Sequence, residues 1–169
     1  MVTRWYRAPE LLFGAKFYGP PIDLWSAGMI FAELMLRVPY VPGISDIDQL
    51  SKIFTALGTP SEDTWPGVRS LPDYIEFKHT PPTPLASTFT AASADALALL
   101  SALLTCKPSG RPTADEALAH AYFAAAPAPV FPPNLLPKEP VDVKEERAVK
   151  QERAVDDVRG ADAKRHKAV

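Results

Sequence analysis

The sequence has few cysteines, no excess of basic residues and no long uninterrupted apolar run. Its 169 residues include one cysteine, Cys106, so an internal disulfide is impossible and a reducing compartment such as the cytosol or nucleus is indicated. Lys and Arg number 18 against 20 Asp and Glu, and this lack of a basic excess argues against a dedicated nucleic-acid binder. Asp23 and Glu33 interrupt the longest apolar stretch, which is too short to cross a bilayer.

Proline, in contrast, is abundant, with 19 residues. Because proline breaks helices and strands, this content predicts short secondary-structure elements. Apolar residues make up 47% of the chain, enough for a core. A helix is expected after Pro21, because proline fits the first helical turn. Residues 22–36, IDLWSAGMIFAELML, are apolar on every side. Such a helix belongs in the middle of a protein, surrounded by other elements.

Capping signals predict the remaining helices. Ser45 caps an amphipathic helix that Gly58 ends, and the sequence TPSE at residues 59–62 forms a capping box that predicts a short helix there. Ser93 caps another helix, and Thr113 opens a second capping box. No strand-like alternation of useful length appears, so the fold is predicted to be mainly α.

Composition divides the chain into segments. Six prolines between residues 127 and 140 predict an extended strap, and the charged residues that follow cannot bury a core. The predicted organisation is a loop-rich start at residues 1–21, a helical domain at 22–126 with an irregular insert at about 59–93, the strap at 127–140 and a disordered tail at 141–169.

Several motifs resemble the cyclin-dependent protein kinases. Residues 2–12, VTRWYRAPELL, resemble the end of that family's activation segment, including its A-P-E motif. Residues 23–28, DLWSAG, resemble the D-x-W-S-x-G start of the central helix of the large lobe. The sequence GTP at residues 58–60 and WP at 65–66 resemble the insert typical of this group, and Arg111 resembles the arginine near the end of the lobe.

Further segments resemble one branch of that family, the kinases that activate other cyclin-dependent kinases and phosphorylate the RNA polymerase II tail. The segments are LRVPY at residues 36–40, SDIDQL at 45–50, LPDY at 71–74 and YF at 122–123. The resemblance covers roughly residues 2–137. It implies the C-terminal, large lobe of the protein-kinase fold, without the N-lobe, the catalytic loop or the D-F-G segment.

The nucleotide-binding motifs of the family do not occur in this sequence. It contains no G-x-G-x-x-G loop, no V-A-I-K lysine, no H-R-D aspartate and no D-F-G metal ligand. We therefore expect no catalytic residue, no metal and no bound cofactor in this chain, whereas the intact parent family uses ATP and Mg. Met1 stands where the family usually has valine, and we expect a truncated gene model or a clipped product.

The resemblance implies a substrate-binding segment at the start of the chain. Thr3 matches the threonine whose hydroxyl contacts the catalytic aspartate and a lysine, and Val2, Arg4, Trp5 and Arg7 match the pocket for the residue after the phosphoacceptor. By the same resemblance Arg7 is expected to engage the carbonyl near Val2, so that a substrate amide there lacks an acceptor and proline is favoured, although this branch of the family also accepts sites without proline. The alternatives are that Thr3 is a simple turn hydroxyl and that Arg7 is a surface arginine.

Structural roles follow for a second set of residues. Glu10 and Arg111 match the family's ion pair between the activation segment and the lobe. Asp23 either accepts amides of the catalytic loop or caps its own helix, and Trp25 is expected to pack against Pro9.

The remaining polar residues are interpreted from their chemistry alone. Glu33 lies in an apolar helix and needs a partner, for which we propose Arg7. Cys106 is interpreted as a small core or surface residue, and the three histidines lack metal-ligand spacing. The sequence KRHK at residues 164–167 is either a nuclear address or part of a solvated tail.

Three interpretations of the whole chain stay open. The first is a serine/threonine kinase fragment, inactive alone, whose expected partners are protein substrates, a cyclin and an assembly factor, without nucleic acid or membrane, in the nucleus by resemblance. The second is a non-catalytic docking module that acts as a decoy. The third is an unstable chain, because the family's helix that covers one side of residues 22–36 has no counterpart here.

Overall fold

A computed structural model describes residues 4–125 of the chain, and their regular structure is helical, with no strand among them. The mainly α prediction is therefore confirmed for this part of the chain. No helix within it has the length and apolar character needed to cross a membrane. The helices are α1 (Pro9–Leu12), α2 (Pro21–Leu36), α3 (Asp46–Leu57), α4 (Leu85–Thr88), α5 (Ala94–Leu103), α6 (Ala114–Leu118) and α7 (Ala121–Ala124), with 3-10 turns at Arg4–Tyr6, Val68–Ser70 and Pro108–Gly110.

Four earlier predictions fall on residues outside the described range. They concern Val2, Thr3, the strap at residues 127–140 and the tail at residues 141–169. Each of them stays a prediction.

Helix α2 is the longest helix among the described residues. Pro21 occupies its first position, and Arg37 ends it in the left-handed conformation, with φ of 60° and its amide bonded to the Glu33 carbonyl. The helix contacts α5 and the turns Arg4–Tyr6 and Pro108–Gly110. A Cβ placed on Gly28 would lie 2.8 Å from a methyl carbon of Leu104, so this glycine lets α2 approach the end of α5.

The burial of α2 corrects one prediction from the sequence. Trp25, Met29 and Ala32 are buried, but Ile30 is 52% and Leu34 is 73% exposed. The expectation that the helix is enclosed on every side is therefore wrong for the described residues, because α5, the two turns and Tyr122 of α7 leave Ile30 and Leu34 uncovered. The expectation of bare apolar surface on this helix is confirmed.

The predicted caps of α3, α5 and α6 are confirmed. Ser45 accepts a hydrogen bond from the Asp48 amide at 3.1 Å, and Ser93 accepts one from the Ala96 amide at 3.2 Å. Thr113 completes a capping box, in which its hydroxyl accepts from the Glu116 amide at 3.2 Å.

The helix predicted at residues 59–62 is wrong. A capping box needs the Glu62 carboxylate to reach back to the Thr59 amide, but Glu62 instead accepts from the amides of Gly67 at 2.7 Å and Arg69 at 3.1 Å. These bonds lower the pKa of Glu62, the bond from Gly67 most of all. The Thr59 amide donates to the Thr80 carbonyl at 2.9 Å, so long-range partners replace the local cap.

An aromatic cluster joins the start of the chain to the irregular insert. Phe13 is fully buried, and the centroid of its ring lies 5.9 Å from that of Phe54, 6.2 Å from Trp65, 5.4 Å from Tyr74 and 6.4 Å from Phe77. Such offset and tilted pairs contribute beyond the area that they bury. The insert is thus packed on the segment that follows α1.

The ion pair between Glu10 and Arg111 is present and buried. Nη1 of Arg111 donates to Glu10 Oε1 at 2.7 Å, and Nη2 donates to Oε2 at 2.8 Å. The other donors reach the carbonyls of Pro21 at 2.9 Å, Thr105 at 2.8 Å and Cys106 at 2.9 Å. All five N–H groups of the guanidinium are therefore used, which is the condition for a buried charge to be tolerated.

Trp25 and Cys106 border this ion pair. The guanidinium carbon of Arg111 lies 5.0 Å from the centre of the Trp25 ring, which is fully buried. Pro9 is fully buried as well, and its contact with Trp25 stays a prediction. Burial raises the pKa of the Cys106 thiol to about 12, so the thiol stays protonated at neutral pH. The residue is partly buried, between the two alternatives of core and surface.

Glu10→Gln should destabilise the chain strongly. The substitution leaves the buried Arg111 charge without its counter-ion, which costs about 3–5 kcal/mol. We expect the urea concentration at the midpoint of unfolding to fall accordingly. The control is Glu76→Gln, whose exposed pair with Arg69 should contribute less than about 1 kcal/mol. Equal midpoints for the two variants would contradict a central role of the pair.

Leu34→Glu should reduce self-association. The side chain is 73% exposed on the bare face of α2, so a carboxylate there breaks an apolar patch without opening a cavity. We expect a larger monomer fraction by sedimentation velocity than for the unaltered chain. Leu118→Glu, at a leucine 67% exposed on α6, is the control and should leave the distribution unchanged. A monodisperse unaltered chain would refute the prediction.

Candidate functional site

The turn Arg4–Tyr6 is fastened to the loop that precedes α3. Nε1 of Trp5 donates to the Gly43 carbonyl at 3.0 Å, and Nη1 of Arg4 donates to the Ile44 carbonyl at 2.8 Å. Two consecutive carbonyls are thus held by two consecutive side chains. The structure brings together Arg4 and Trp5, which the sequence assigned to substrate binding, with a loop that the sequence did not assign.

Two arginines of this segment share one carboxylate. Nε of Arg4 lies 3.0 Å from Asp46 Oδ1, and Nη1 of Arg7 lies 3.6 Å from the same oxygen. The two arginine side chains are one third exposed and Asp46 is half exposed, so these pairs contribute little stability and mainly orient the side chains. The predicted contact of Arg7 with the carbonyl near Val2 stays a prediction, since Val2 lies outside the described residues.

The proposed pairing of Glu33 with Arg7 is wrong. Tyr6 donates its hydroxyl to Glu33 Oε2 at 2.5 Å, whereas Arg7 points to Asp46 on α3. Ser26 donates to the Tyr6 carbonyl at 2.9 Å, which holds the turn against α2 and brings the phenol to Glu33. The bond to Glu33 raises the pKa of Tyr6 above its usual value, and partial burial adds to the shift.

Gln49 is a residue of the candidate site that the sequence analysis missed. It is fully buried, its Oε1 accepts from the Gly43 amide at 2.8 Å, and its Nε2 donates to the Val41 carbonyl at 2.7 Å. A Cβ on Gly43 would lie 2.6 Å from the Gln49 Cα, so only glycine fits there. The signal in the sequence was the position of Gln49, four residues before the buried Ile53 on the same face of α3.

Asp23 lies exposed in the first turn of α2. Its side chain makes no hydrogen bond to another described residue, and Pro20 precedes the helix without a side-chain cap. The interpretation that Asp23 caps its own helix therefore gains no support from residues 4–125. Its contact with the amides of a catalytic loop stays a prediction.

The arrangement combines a fixed loop with accessible charged side chains. Backbone groups of residues 41–44 are fixed by Trp5, Arg4 and Gln49, and the charged groups beside them are accessible. Among the described residues no group of three or more His, Cys, Asp or Glu side chains converges as a metal site.

Glu33→Gln should lower the pKa of one tyrosine. The bond to a carboxylate stabilises the neutral phenol, so its contribution to folding is present below the usual tyrosine pKa and is lost as pH rises through the raised value. The pKa of Tyr40 is also raised, by burial, so we expect ultraviolet titration to show two raised tyrosines, of which one moves down in Glu33→Gln and disappears in Tyr6→Phe. Tyr18→Phe is the control, since Tyr18 is exposed. Identical titration of Glu33→Gln and the unaltered chain would contradict the assignment.

Comparison with known proteins finds similarity to protein kinases. The family model described as "Protein kinase domain" matches residues 1–123. Cyclin-dependent kinase 7 of Xenopus laevis is 57% identical over 138 residues, which cover 82% of this chain and 39% of that protein. Cyclin-dependent kinase 7 of Dictyostelium discoideum is 60% identical over 124 residues, covering 73% of this chain and 34% of that protein.

A third relative comes from Encephalitozoon cuniculi. It is described as a probable serine/threonine-protein kinase KIN28 homolog and is 53% identical over 140 residues, covering 83% of this chain and 44% of that protein. The chain thus spans about two fifths of the length of these curated relatives. The chain belongs to the protein kinase family, and within it to the cyclin-dependent kinases related to cyclin-dependent kinase 7.

Proposed function

We propose that this chain is the substrate-holding part of the large lobe of a cyclin-dependent serine/threonine kinase. The observation that carries the proposal is the fastening of Arg4 and Trp5 to the carbonyls of Ile44 and Gly43. A segment fixed in this way is pre-organised to receive an extended peptide, and pre-organisation reduces the entropy lost on binding.

The proposed substrate preference is for a proline after the phosphoacceptor. In the family interpretation, Val2, Arg4, Trp5 and Arg7 surround the residue that follows the phosphorylated serine or threonine. When Arg7 occupies the carbonyl near Val2, a substrate amide at that point has no acceptor, at a cost of about 1–3 kcal/mol. Proline has no amide and avoids the cost. Thr3 would contact the catalytic aspartate of the intact kinase.

Phosphotransfer itself is assigned to parts of the intact kinase outside this sequence. The residues present do not fit ATP and magnesium, since the phosphate-covering loop, the strand lysine and the metal-binding aspartate of the family do not occur in the sequence. We propose that the chain alone binds no nucleotide and transfers no phosphate.

The partners proposed for the intact kinase are a cyclin, an assembly factor and protein substrates. The similarity to cyclin-dependent kinase 7 supports a role in activating other cyclin-dependent kinases and in phosphorylating the RNA polymerase II tail, with a nuclear location. Direct binding to nucleic acid or membrane is not part of the proposal.

A second candidate function is a docking module that acts as a decoy. The observation that favours it is that residues of this chain supply the bonds that fix the loop, from Arg4 and Trp5 to the carbonyls of residues 43–44 and from Gln49 to Gly43. Such a platform holds a substrate without turning it over, and it would compete with the intact enzyme. Inhibition of an intact cyclin-dependent kinase by added chain, relieved by excess substrate, distinguishes this role.

The chain should bind a Ser-Pro peptide about tenfold more tightly than the matched Ser-Ala peptide, as measured by fluorescence anisotropy with labelled peptides. Arg7→Ala should remove the preference, because the carbonyl near Val2 then becomes free to accept the amide. Arg69→Ala, at an exposed arginine of the insert, is the control.

Three outcomes would contradict the proposal. Equal binding of the two peptides, or binding of neither, removes the proposed substrate role. Saturable binding of ATP by the chain in calorimetry removes the proposal that it is inactive alone.

A further inference from the structure

Three threonines of the sequence are followed directly by proline. They are Thr59, Thr80 and Thr83, and no serine of the chain precedes a proline. A hydroxyl residue followed by proline is the acceptor that proline-directed kinases phosphorylate, because proline has no amide that would need a partner in the pocket of the kinase. The surroundings of the three threonines therefore decide which of them such a kinase can reach.

Thr59 and Thr80 are half-buried and bonded to each other. The amide of Thr59 donates to the Thr80 carbonyl at 2.9 Å, and the amide of Thr80 donates to Thr59 Oγ1 at 3.0 Å. The Thr59 hydroxyl also donates to the Lys78 carbonyl at 3.0 Å. A kinase that draws either threonine into its active site must first break these bonds, which leaves buried polar groups without partners.

Thr83 is more accessible than the other two. It is exposed, as are Pro82 before it and Pro84 after it, and residues 74–84 have no regular secondary structure. Pro84 restricts Thr83 to an extended backbone, which is the shape that a peptide-binding groove receives, so little entropy is lost on binding. The Thr83 hydroxyl donates to the Thr55 carbonyl at 3.3 Å, a long distance for a hydroxyl donor.

The hydrogen bonds that Thr83 donates fall on the end of α3. A helix leaves its last four carbonyls without partners of its own, and in α3 these include the carbonyls of Thr55 and Ala56. The hydroxyl of Thr83 serves the first, and its amide donates to the second at 3.2 Å. Because the C-terminal end of a helix is its negative pole, this contact is sensitive to added negative charge.

We propose that Thr83 is a phosphorylation site for a proline-directed serine/threonine kinase, and that phosphorylation releases residues 82–84 from the end of α3. In the reaction, Oγ1 of Thr83 attacks the γ-phosphorus of ATP supplied by the acting kinase. The bond from that phosphorus to the β–γ bridging oxygen breaks, ADP leaves, and the hydroxyl proton passes to a base of the acting kinase. This chain is the substrate of the reaction, so the inference does not depend on the function proposed above.

Phosphorylated Thr83 loses its attachment to α3 for two reasons. The ester oxygen has no proton to donate to the Thr55 carbonyl, and the phosphate brings close to two negative charges to the negative end of the helix. An open cavity of about 700 Å³ is lined in part by Thr83 and Lys107. It offers the phosphate both space and a cation once the residue has left α3.

The first test treats the full chain with an active cyclin-dependent kinase–cyclin complex, ATP and Mg²⁺, and maps the phosphorylated residues by mass spectrometry. At early times Thr83 should carry about tenfold more phosphate than Thr59 or Thr80. Pro84→Ala should remove the labelling of Thr83. Pro81→Ala is the matched control and should leave that labelling unchanged.

A synthetic peptide of residues 75–88 separates packing from local sequence. In this peptide the partners Thr55, Ala56 and Thr59 are missing, so Thr80 and Thr83 should be phosphorylated at similar rates. The folded chain should lose the labelling of Thr80 relative to the peptide.

The second test measures release from α3 by amide hydrogen exchange with NMR detection. After phosphorylation the amide of Thr83 should exchange about tenfold faster, because its bond to the Ala56 carbonyl opens more often. The amide of Thr59, which is bonded to Thr80, is the control and should keep its rate.

Four results would overturn the inference. The site is wrong if Thr59 or Thr80 is labelled as fast as Thr83 in the full chain, or if the chain is not labelled at all. The structural basis is wrong if the peptide is labelled at Thr83 alone, since local sequence then sets the preference. The proposed release is wrong if phosphorylation leaves the exchange of the Thr83 amide unchanged.

Discussion

The buried ion pair between Arg111 and Glu10 is the interaction on which the rest of the structure depends. The guanidinium of Arg111 joins the carboxylate of Glu10 to three carbonyls, those of Pro21, Thr105 and Cys106. Glu10 and Arg111 are 101 positions apart in the sequence, so one buried side chain ties the segment that begins the chain to the loop that follows α5. The fork geometry of arginine makes this possible, since a lysine cannot serve a carboxylate and three carbonyls at fixed angles.

Capping patterns in the sequence predicted the starts of three helices correctly. The prediction failed where a residue farther along the chain bonded to the capping side chain instead. Ser45, Ser93 and Thr113 cap helices as their sequence patterns indicate, because each cap needs only an amide three residues away. The same pattern failed at Glu62, whose carboxylate bonds to amides farther along the chain. The pairing of Glu10 with Arg111 is outside the reach of such local patterns and came from the resemblance to the kinase family.

In the candidate site too, the sequence indicates which residues take part, whereas the structure is needed to identify their partners. The sequence indicated that Arg4, Trp5 and Arg7 belong together, and the structure adds which groups they meet. Glu33 needed a partner, but the choice of Tyr6 over Arg7 depends on how the turn lies on α2, which no spacing in the sequence specifies. The exposure of Ile30 and Leu34 likewise depends on which elements pack against α2.

In the loop before α3, the groups that fix the backbone are different from the side chain that faces solvent. Its bonds run through backbone groups of Gly43 and Ile44 to side chains of other residues, so the side chain of Ile44 takes no part in fixing it. Replacing that side chain changes what the loop presents while the four bonds stay in place. The conformation of this loop and the side chain that it exposes are therefore separable, because the bonds and the exposed surface belong to different atoms of the same residue.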